Sequence, residues 1–471
     1  MTSSTEELAH HVIGLRPDDL PGHVRRRALR SIADTLCAGI YGARTTQGDI
    51  VLEEAESRYL PSGALLWGRG GRLAPAGAAL VNATQAHSFE LDDYLPAGKT
   101  HPGAVVVSTA LALADAECSV DDLLLAIVAG YDVMSRVSLA MNPVSTRARG
   151  FHVTGLSGPF GSAAAAGRLL GCDATELASA FGIASSCSSG TFAFTAEGSM
   201  TKPLHAGRAA EAGIVAGNLA RKGFQGPRDA LTAADGGLLR AVSDDPRPAE
   251  LVADLGSRFD IARVAIKPYP CCGSIHSSID AIFELGDVHG LGSDDIEAIV
   301  VYNAGGVISQ CGFQYVGSGG PLEAQMSLQY CLAAAALDGR IGHCQFSDAR
   351  RQDPVLLDLA RRVECVVDPE IEARYPRQFP SRVVVRMRTG TNLESQIAAP
   401  SGTPERPLTD EAFHEKLSEL MEGLMPANLA DELIAAVEAL DEAPRIDRLT
   451  TVLEDVGRAR GRGPVAGSVG R

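Results

Sequence analysis

Between Ala76 and about Ala234 the chain alternates Ala-rich apolar runs with short Gly, Pro or Asp breaks: AGAALVNATQA, VVVSTALALADA, DDLLLAIVAGYDVMSRVSLAM, GPFGSAAAAGRLLG, ATELASAFGIASS and GRAAEAGIVAGNLARKG. Apolar runs of this length between such breaks predict a domain of packed helices. The chain start fits the same picture. Ser4-Thr5-Glu6-Glu7 is a capping-box pattern ahead of Leu8, Val12 and Ile13, and HVRRRALRSIADTLCAGIYGA continues at helical spacing after Pro21. After about Arg263 the texture changes. IEAIVVYNA, RVECVVD and SRVVVRMRTG are rich in β-branched residues and predict strands, with helices in SSIDAIFELG and LEAQMSLQYCLAAAALDG. LTDEAFHEKLSELMEGLM and LADELIAAVEAL then return to the helical period. Two short amphipathic helices cannot easily build a core alone, so they are expected to rejoin the first domain. The predicted architecture is mainly α: a large all-helical domain formed by both chain ends, 1–265 and 400–455, plus a smaller α+β lid domain over 266–399. The basic, Gly-rich segment 456–471 is expected to be a disordered tail.

Composition narrows this without changing it. Only 5% of the 471 residues are aromatic while 50 are Gly, which favours close-packed small-residue helices over an aromatic-rich sandwich. The formal charge of −16 argues against a nucleic-acid partner, whose backbone the field would repel. Ten cysteines without a C-x-x-C argue against a zinc ribbon or disulfide framework. The N-terminus lacks a basic region ahead of an apolar core, and no window reaches ~18 consecutive apolar residues. A cytoplasmic protein with no membrane partner is the expectation.

The candidate chemistry begins with HSFELDDYLPAGKTHPG at 87–103. His87, Glu90, Asp92 and Asp93 could serve a metal, an acid/base site or a solvated loop. No H-E-x-x-H, 2-His-1-carboxylate or EF-hand spacing matches, so no metal is expected. His101 in THPG, His152 in GFHVTG, Lys202 and His205 in KPLHAG, and Lys267 with His276 in KPYPCCGSIH all stand beside Gly or Pro at the edge of an Ala-rich run. Such edges are where scaffolds present polar groups to ligands, although a histidine there also serves as a cap or satisfies buried backbone. Histidine titrates near neutral pH and suits proton transfer, and lysine supplies charge for substrate carboxylates. Helix starts after Gly155 and Gly207 would add N–H groups and positive dipole ends. No Walker loop occurs, and GPFGSAAAAG follows no predicted strand, which argues against ATP and NAD. SSCSSGT lacks a nucleophile-elbow pattern and reads as a helix end or wall turn.

The ordered motifs AHSFELDD, THPGAV, GYDVMSR, GFHVTG, FGIASSCSSGT, GSMTKPLHAGRAAEAG, KGFQGP, IKPYPCCGSIHSSIDA and EAQMSLQYCLAAAALDG together resemble the MmgE/PrpD family. Its members include 2-methylcitrate dehydratase, cis-aconitate decarboxylase and iminodisuccinate epimerase. The resemblance implies a homodimer with a cleft between a helical domain and a lid, and chemistry without metal or cofactor on a small di- or tricarboxylate. It also implies that His101, His152, Lys202 and Lys267 are active-site positions, with His205 and His276 behind them and Arg136 of GYDVMSR supporting a carboxylate. Glu90 or Asp93 would orient a histidine or bind a substrate hydroxyl. The chain departs from the commoner H-x-x-D-F-D-D-T pattern, with Glu90 in place of the first Asp, Tyr94 in place of the Thr, and the loop LPAGK about one residue longer. A dehydratase-type lyase is the leading expectation. An epimerase or isomerase, a decarboxylase and a non-catalytic carboxylate binder are the alternatives.

Overall fold

The computed structural model describes residues 2–196, 198–291 and 295–460 of the protein. It is mainly α, about 60% helical, with small sheets only. The Ala-rich runs form the helices Pro75–Ala86, Pro102–Leu113, Val120–Ala140, Val153–Leu169, Ala174–Cys187 and Thr201–Arg221. Val153–Leu169 packs between Val120–Ala140 and Thr201–Arg221, and glycine makes the approach close. A Cβ on Gly213 would lie 2.2 Å from Ser162 Oγ, and one on Gly207 2.1 Å from Thr84 Oγ1. This corrects the helix starts expected after Gly155 and Gly207. The helices begin earlier, at Val153 and Thr201, and those glycines lie inside them, where a neighbouring segment leaves room for hydrogen alone. Val120–Ala140 is long and apolar enough to cross a bilayer, yet its apolar window is 94% buried inside the protein.

The C-terminal helices Asp410–Met421, Ala427–Glu438 and Asp447–Arg460 join the N-terminal core. The first two pack on Gly22–Gly42, and Phe413, Leu433, Leu449 and Val456 share one hydrophobic cluster with Leu8 and Ile32. Val456 continues the apolar face of Leu449, Val452 and Leu453, so the last helix runs through 456–460, where a tail was expected. Positions 461–471 of that tail lie outside the described residues. Lys416 ties this region to the first: its ammonium pairs with the buried Asp34 carboxylate and donates to Leu91 O at 3.0 Å. A helix near the end of the chain thereby holds the loop that carries Asp92 and Asp93.

A second core is built from residues between Cys271 and Ile397, among them Ile279, Ile299, Tyr330 and Val383. Its sheet has the spatial order Val363–Val367, Ile296–Asn303, Ser381–Met387, Asn392–Ile397, with the first pair parallel and the rest antiparallel. The parallel pair needs a long crossover, which the helices between Gly305 and Arg361 supply. Helix His276–His289 packs on the Ser381–Met387 and Asn392–Ile397 strands. That last strand, NLESQI, is a polar edge strand without a β-branched run, and its composition gave no strand signal. The chain passes between the cores at Ala265–Lys267, where Ala265 exchanges backbone hydrogen bonds with Tyr94 at 2.7 and 3.0 Å and Ile266 N–H donates to Gly402 O at 2.9 Å.

Candidate active site

Three helix starts converge on one place. His101 precedes Pro102–Leu113, whose first helical position is a proline that needs no N–H partner, and its backbone N–H donates to Thr154 Oγ1 at 3.2 Å. His152 precedes Val153–Leu169, with its N–H on Gly190 O at 3.0 Å. Lys202 lies in the first turn of Thr201–Arg221, and Lys267 comes from the segment crossing between the cores. The four side chains line one cleft between the two cores, about 680 Å³ including its open side.

Glu90 stands between the lysines. Its Oε1 is paired with Lys202 Nζ, and its Oε2 accepts from Lys267 Nζ at 3.1 Å. All three side chains are 5% exposed or less. Burial and the nearby Lys267 charge push the Lys202 ammonium well below its ordinary value, with Cys272 and Cys311 opposing them. Glu90 adopts φ 58°, a left-handed conformation uncommon outside glycine and retained where the surroundings over-determine it. On its N-terminal side the backbone is fixed by Gln325 Nε2, which donates to Phe89 O at 3.0 Å.

A buried carboxylate lies behind His101. Asp92 Oδ2 is 2.7 Å from His87 Nδ1 and 3.2 Å from His101 Nδ1. Burial lowers His87 to about 3, so this ring is neutral and donates to Asp92. Burial pushes the Asp92 carboxyl upward, but the two imidazoles together outweigh it and hold the group well below the usual range. The donor atoms of His87, Asp92 and His101 lie within 4.8 Å of one another, and among the described residues they form a group that could hold a metal ion. The 2.7 Å contact is a hydrogen-bond length, shorter than the ~3.0–3.4 Å that separates two ligands on one ion with ~2.1 Å bonds. In this arrangement Asp92 acts as a bridge between two imidazoles. On the other side, His152 Nδ1 lies 3.0 Å from His205 Nδ1. Burial first, then the neighbouring histidines, hold His152 well below its ordinary value; burial and Lys202 lower His205.

The remaining sequence candidates divide. Tyr94 lines the cleft, its ring pressed on Gly273, where a Cβ would approach to 2.5 Å, and Lys267 Nζ lies 5.8 Å from the ring centroid. Asp93 lies behind the wall, accepting from Tyr131 OH at 2.6 Å and Gly103 N–H at 2.8 Å, and burial raises its carboxyl to about 6. His205 supports His152 without lining the cleft. His276 is buried with Nε2 3.3 Å from Cys271 O, and burial lowers it to about 3. Arg136 was expected to support a ligand carboxylate. Its placement differs: Nε donates to Asp132 Oδ2 at 2.7 Å and Nη2 to Arg258 O at 3.1 Å, inside the helical core. Sequence reasoning passed over His87 and Asp92 as supports and Lys99, Arg147 and Cys272 as lining residues. The one available signal was Lys99, which ends the lengthened loop LPAGK.

Fold and cleft together define an enzyme of mainly helical build whose cleft gathers histidines and lysines. More particularly, residues 6–251 match the MmgE/PrpD N-terminal domain and residues 269–442 the MmgE/PrpD C-terminal domain, and the chain belongs to the MmgE/PrpD family. The second match extends past the α+β core into helices that pack with the first. The chain is 30% identical over 469 residues to a cis-aconitate decarboxylase of Homo sapiens, covering 96% of this chain and 95% of the relative. It is 27% identical over 472 residues to one of Aspergillus terreus, covering 95% of each.

Proposed function

We propose that the protein is a lyase that acts on a small di- or tricarboxylate by histidine-mediated proton transfer at the carbon next to a carboxylate. The observation that carries this reading is the convergence of His101 and His152 with Lys202 and Lys267 in one cleft. His152, kept neutral by burial, takes the proton. The C–H electron pair becomes the new C=C bond, the C–O bond to the β-hydroxyl breaks, and His101 supplies the proton with which that hydroxyl leaves as water. Asp92 behind His101 fixes the ring's tautomer and stabilises the imidazolium form. Lys202 and Lys267 meet the negative charge that develops on the substrate carboxylate, a contribution of several kcal/mol in a closed site. The steps use side chains alone and require no cofactor.

A second reading has support in the cis-aconitate decarboxylases at 27% and 30% identity. Loss of CO2 leaves a carbanion that His101 would protonate, with the same lysines holding the carboxylates. Glu90 and Tyr94 stand where the resemblance puts an Asp and a Thr that line the decarboxylase site, and this departure places decarboxylation second. The test is turnover of citrate, 2-methylcitrate and cis-aconitate by the purified protein, followed by double-bond absorbance and CO2 release. His101→Ala and His152→Ala are each expected to slow the reaction ~10²–10⁴-fold with unchanged thermal unfolding. Full activity of the His101 variant refutes the assignment.

A further inference from the structure

The cleft contains four cationic side chains, and Glu90 accounts for two of them. Lys202 and Lys267 both contact its carboxylate. The other two, Lys99 and Arg147, have no carboxylate within 4 Å among the described residues. Lys99 donates to Tyr375 OH and lies 4.7 Å from that ring's centroid. The Arg147 guanidinium lies 3.6 Å from the Phe192 ring centroid. Both are partly exposed, whereas Lys202 and Lys267 are 4% and 1% exposed, so the second pair lies nearer solvent.

The local structure presents these two groups deliberately. Leu95 and Thr100 pair across a tight loop, with Leu95 N–H on Thr100 O at 2.8 Å, and Lys99 closes it in a left-handed conformation, φ 49°. The loop is packed: a Cβ on Gly98 would lie 2.4 Å from Ser138 Oγ. Tyr375, which receives the Lys99 ammonium, rests on Gly306, where a Cβ would lie 2.7 Å from its ring. Stacking on Phe192 occupies one face of the Arg147 guanidinium and leaves its N–H edge available, the geometry in which arginine recognises carboxylates. A partly buried positive charge without a counter-charge is unfavourable. Burial accordingly lowers Lys99 to about 8, with Arg147 acting in the same sense and Cys272 and Cys311 opposing it.

We infer that Lys99 and Arg147 form a second carboxylate subsite of the cleft, separate from the lysines that Glu90 occupies, and that it anchors a terminal carboxylate of the substrate. This rests on the polycarboxylate reading above. It adds which residues hold the outer end of the ligand, and it assigns a role to the lengthened loop that supplies Lys99. The substrate class that fits carries carboxylates at both ends, one at the Lys202–Lys267 end and one at Lys99–Arg147.

The test is calorimetric binding of tricarballylate, a saturated tricarboxylate with no hydroxyl to lose, and of butyrate, which has one carboxylate. Lys99→Met and Arg147→Gln are each expected to weaken tricarballylate binding roughly tenfold or more and to leave butyrate unchanged. Lys99→Arg is expected to retain most of the affinity, and thermal unfolding confirms that each variant folds. Anion binding favours the protonated ammonium, so at pH 8 the wild type should take up more protons with tricarballylate than Lys99→Met does. Unchanged affinity in both variants, with a wild type that binds, overturns the subsite and leaves the lyase reading intact. A wild type that binds neither tricarballylate nor citrate overturns both.

Discussion

Glu90 combines a left-handed backbone, near-complete burial and contact with two ammonium groups. Glu90→Gln keeps the size and removes the charge, leaving Lys202 and Lys267 facing each other without a counter-ion. The expected loss is about 3 kcal/mol, read as a lower urea midpoint at constant slope; an unchanged midpoint would mean that the lysines are neutral in the folded protein. Residue by residue, the candidate site was legible because His101, His152 and Lys202 each stand where a helix meets a Gly or Pro and Lys267 stands beside a Pro in the segment between the cores. The sequence did not separate these from Asp93, His205 and His276, since a buried support and a lining residue use the same side chains. Arg136 sits on an apolar helix that could turn toward a ligand or toward Asp132, and only packing decides between them. Arg147 carries no motif of its own and Lys99 showed only as the end of a lengthened loop, until the fold brought Tyr375 and Phe192 beside them.

The helices show the same limit in another form. Alanine-rich runs announced their helices correctly, but glycine was read as punctuation when here it is a contact surface. Gly207→Ala makes the point measurable. Alanine favours a helix interior by about 1 kcal/mol over glycine, yet its Cβ would fall 2.5 Å from Leu80 O as well as 2.1 Å from Thr84 Oγ1. Overpacking of this kind costs about 1–3 kcal/mol, so the variant should unfold at lower denaturant than the wild type. An equal or higher midpoint would show that Pro75–Ala86 can move away. In the second core, Ile296–Asn303 and Ser381–Met387 were legible from their β-branched runs, whereas Asn392–Ile397, paired on one side only, is polar enough to pass for a loop.

Across the whole molecule, buried histidines couple stability to pH. Burial lowers His11, His87, His152, His205, His276 and His343. The unfolded chain therefore binds more protons than the folded one below about pH 6.5, and stability falls as pH drops through that range, with a limit of about 1.4 kcal/mol per pH unit for each fully shifted histidine. Asp93 and Asp132, raised by burial to about 6, act in the opposite sense between about pH 4 and 6, and Asp34, also raised by burial, acts in that same sense. The histidines are the larger group, so urea unfolding should show a net loss of stability from pH 7 to 5; a flat profile would mean that the carboxylates cancel them.

The bond from Lys416 to Leu91 O adds a constraint in time. During synthesis every proposed catalytic side chain leaves the ribosome well before Lys416 does, and the loop bearing Glu90 and Asp92 then lacks its buried strut. The nascent chain can hold all of its reactive groups and still have no working cleft, so activity should begin only once the helix Asp410–Met421 has emerged and docked.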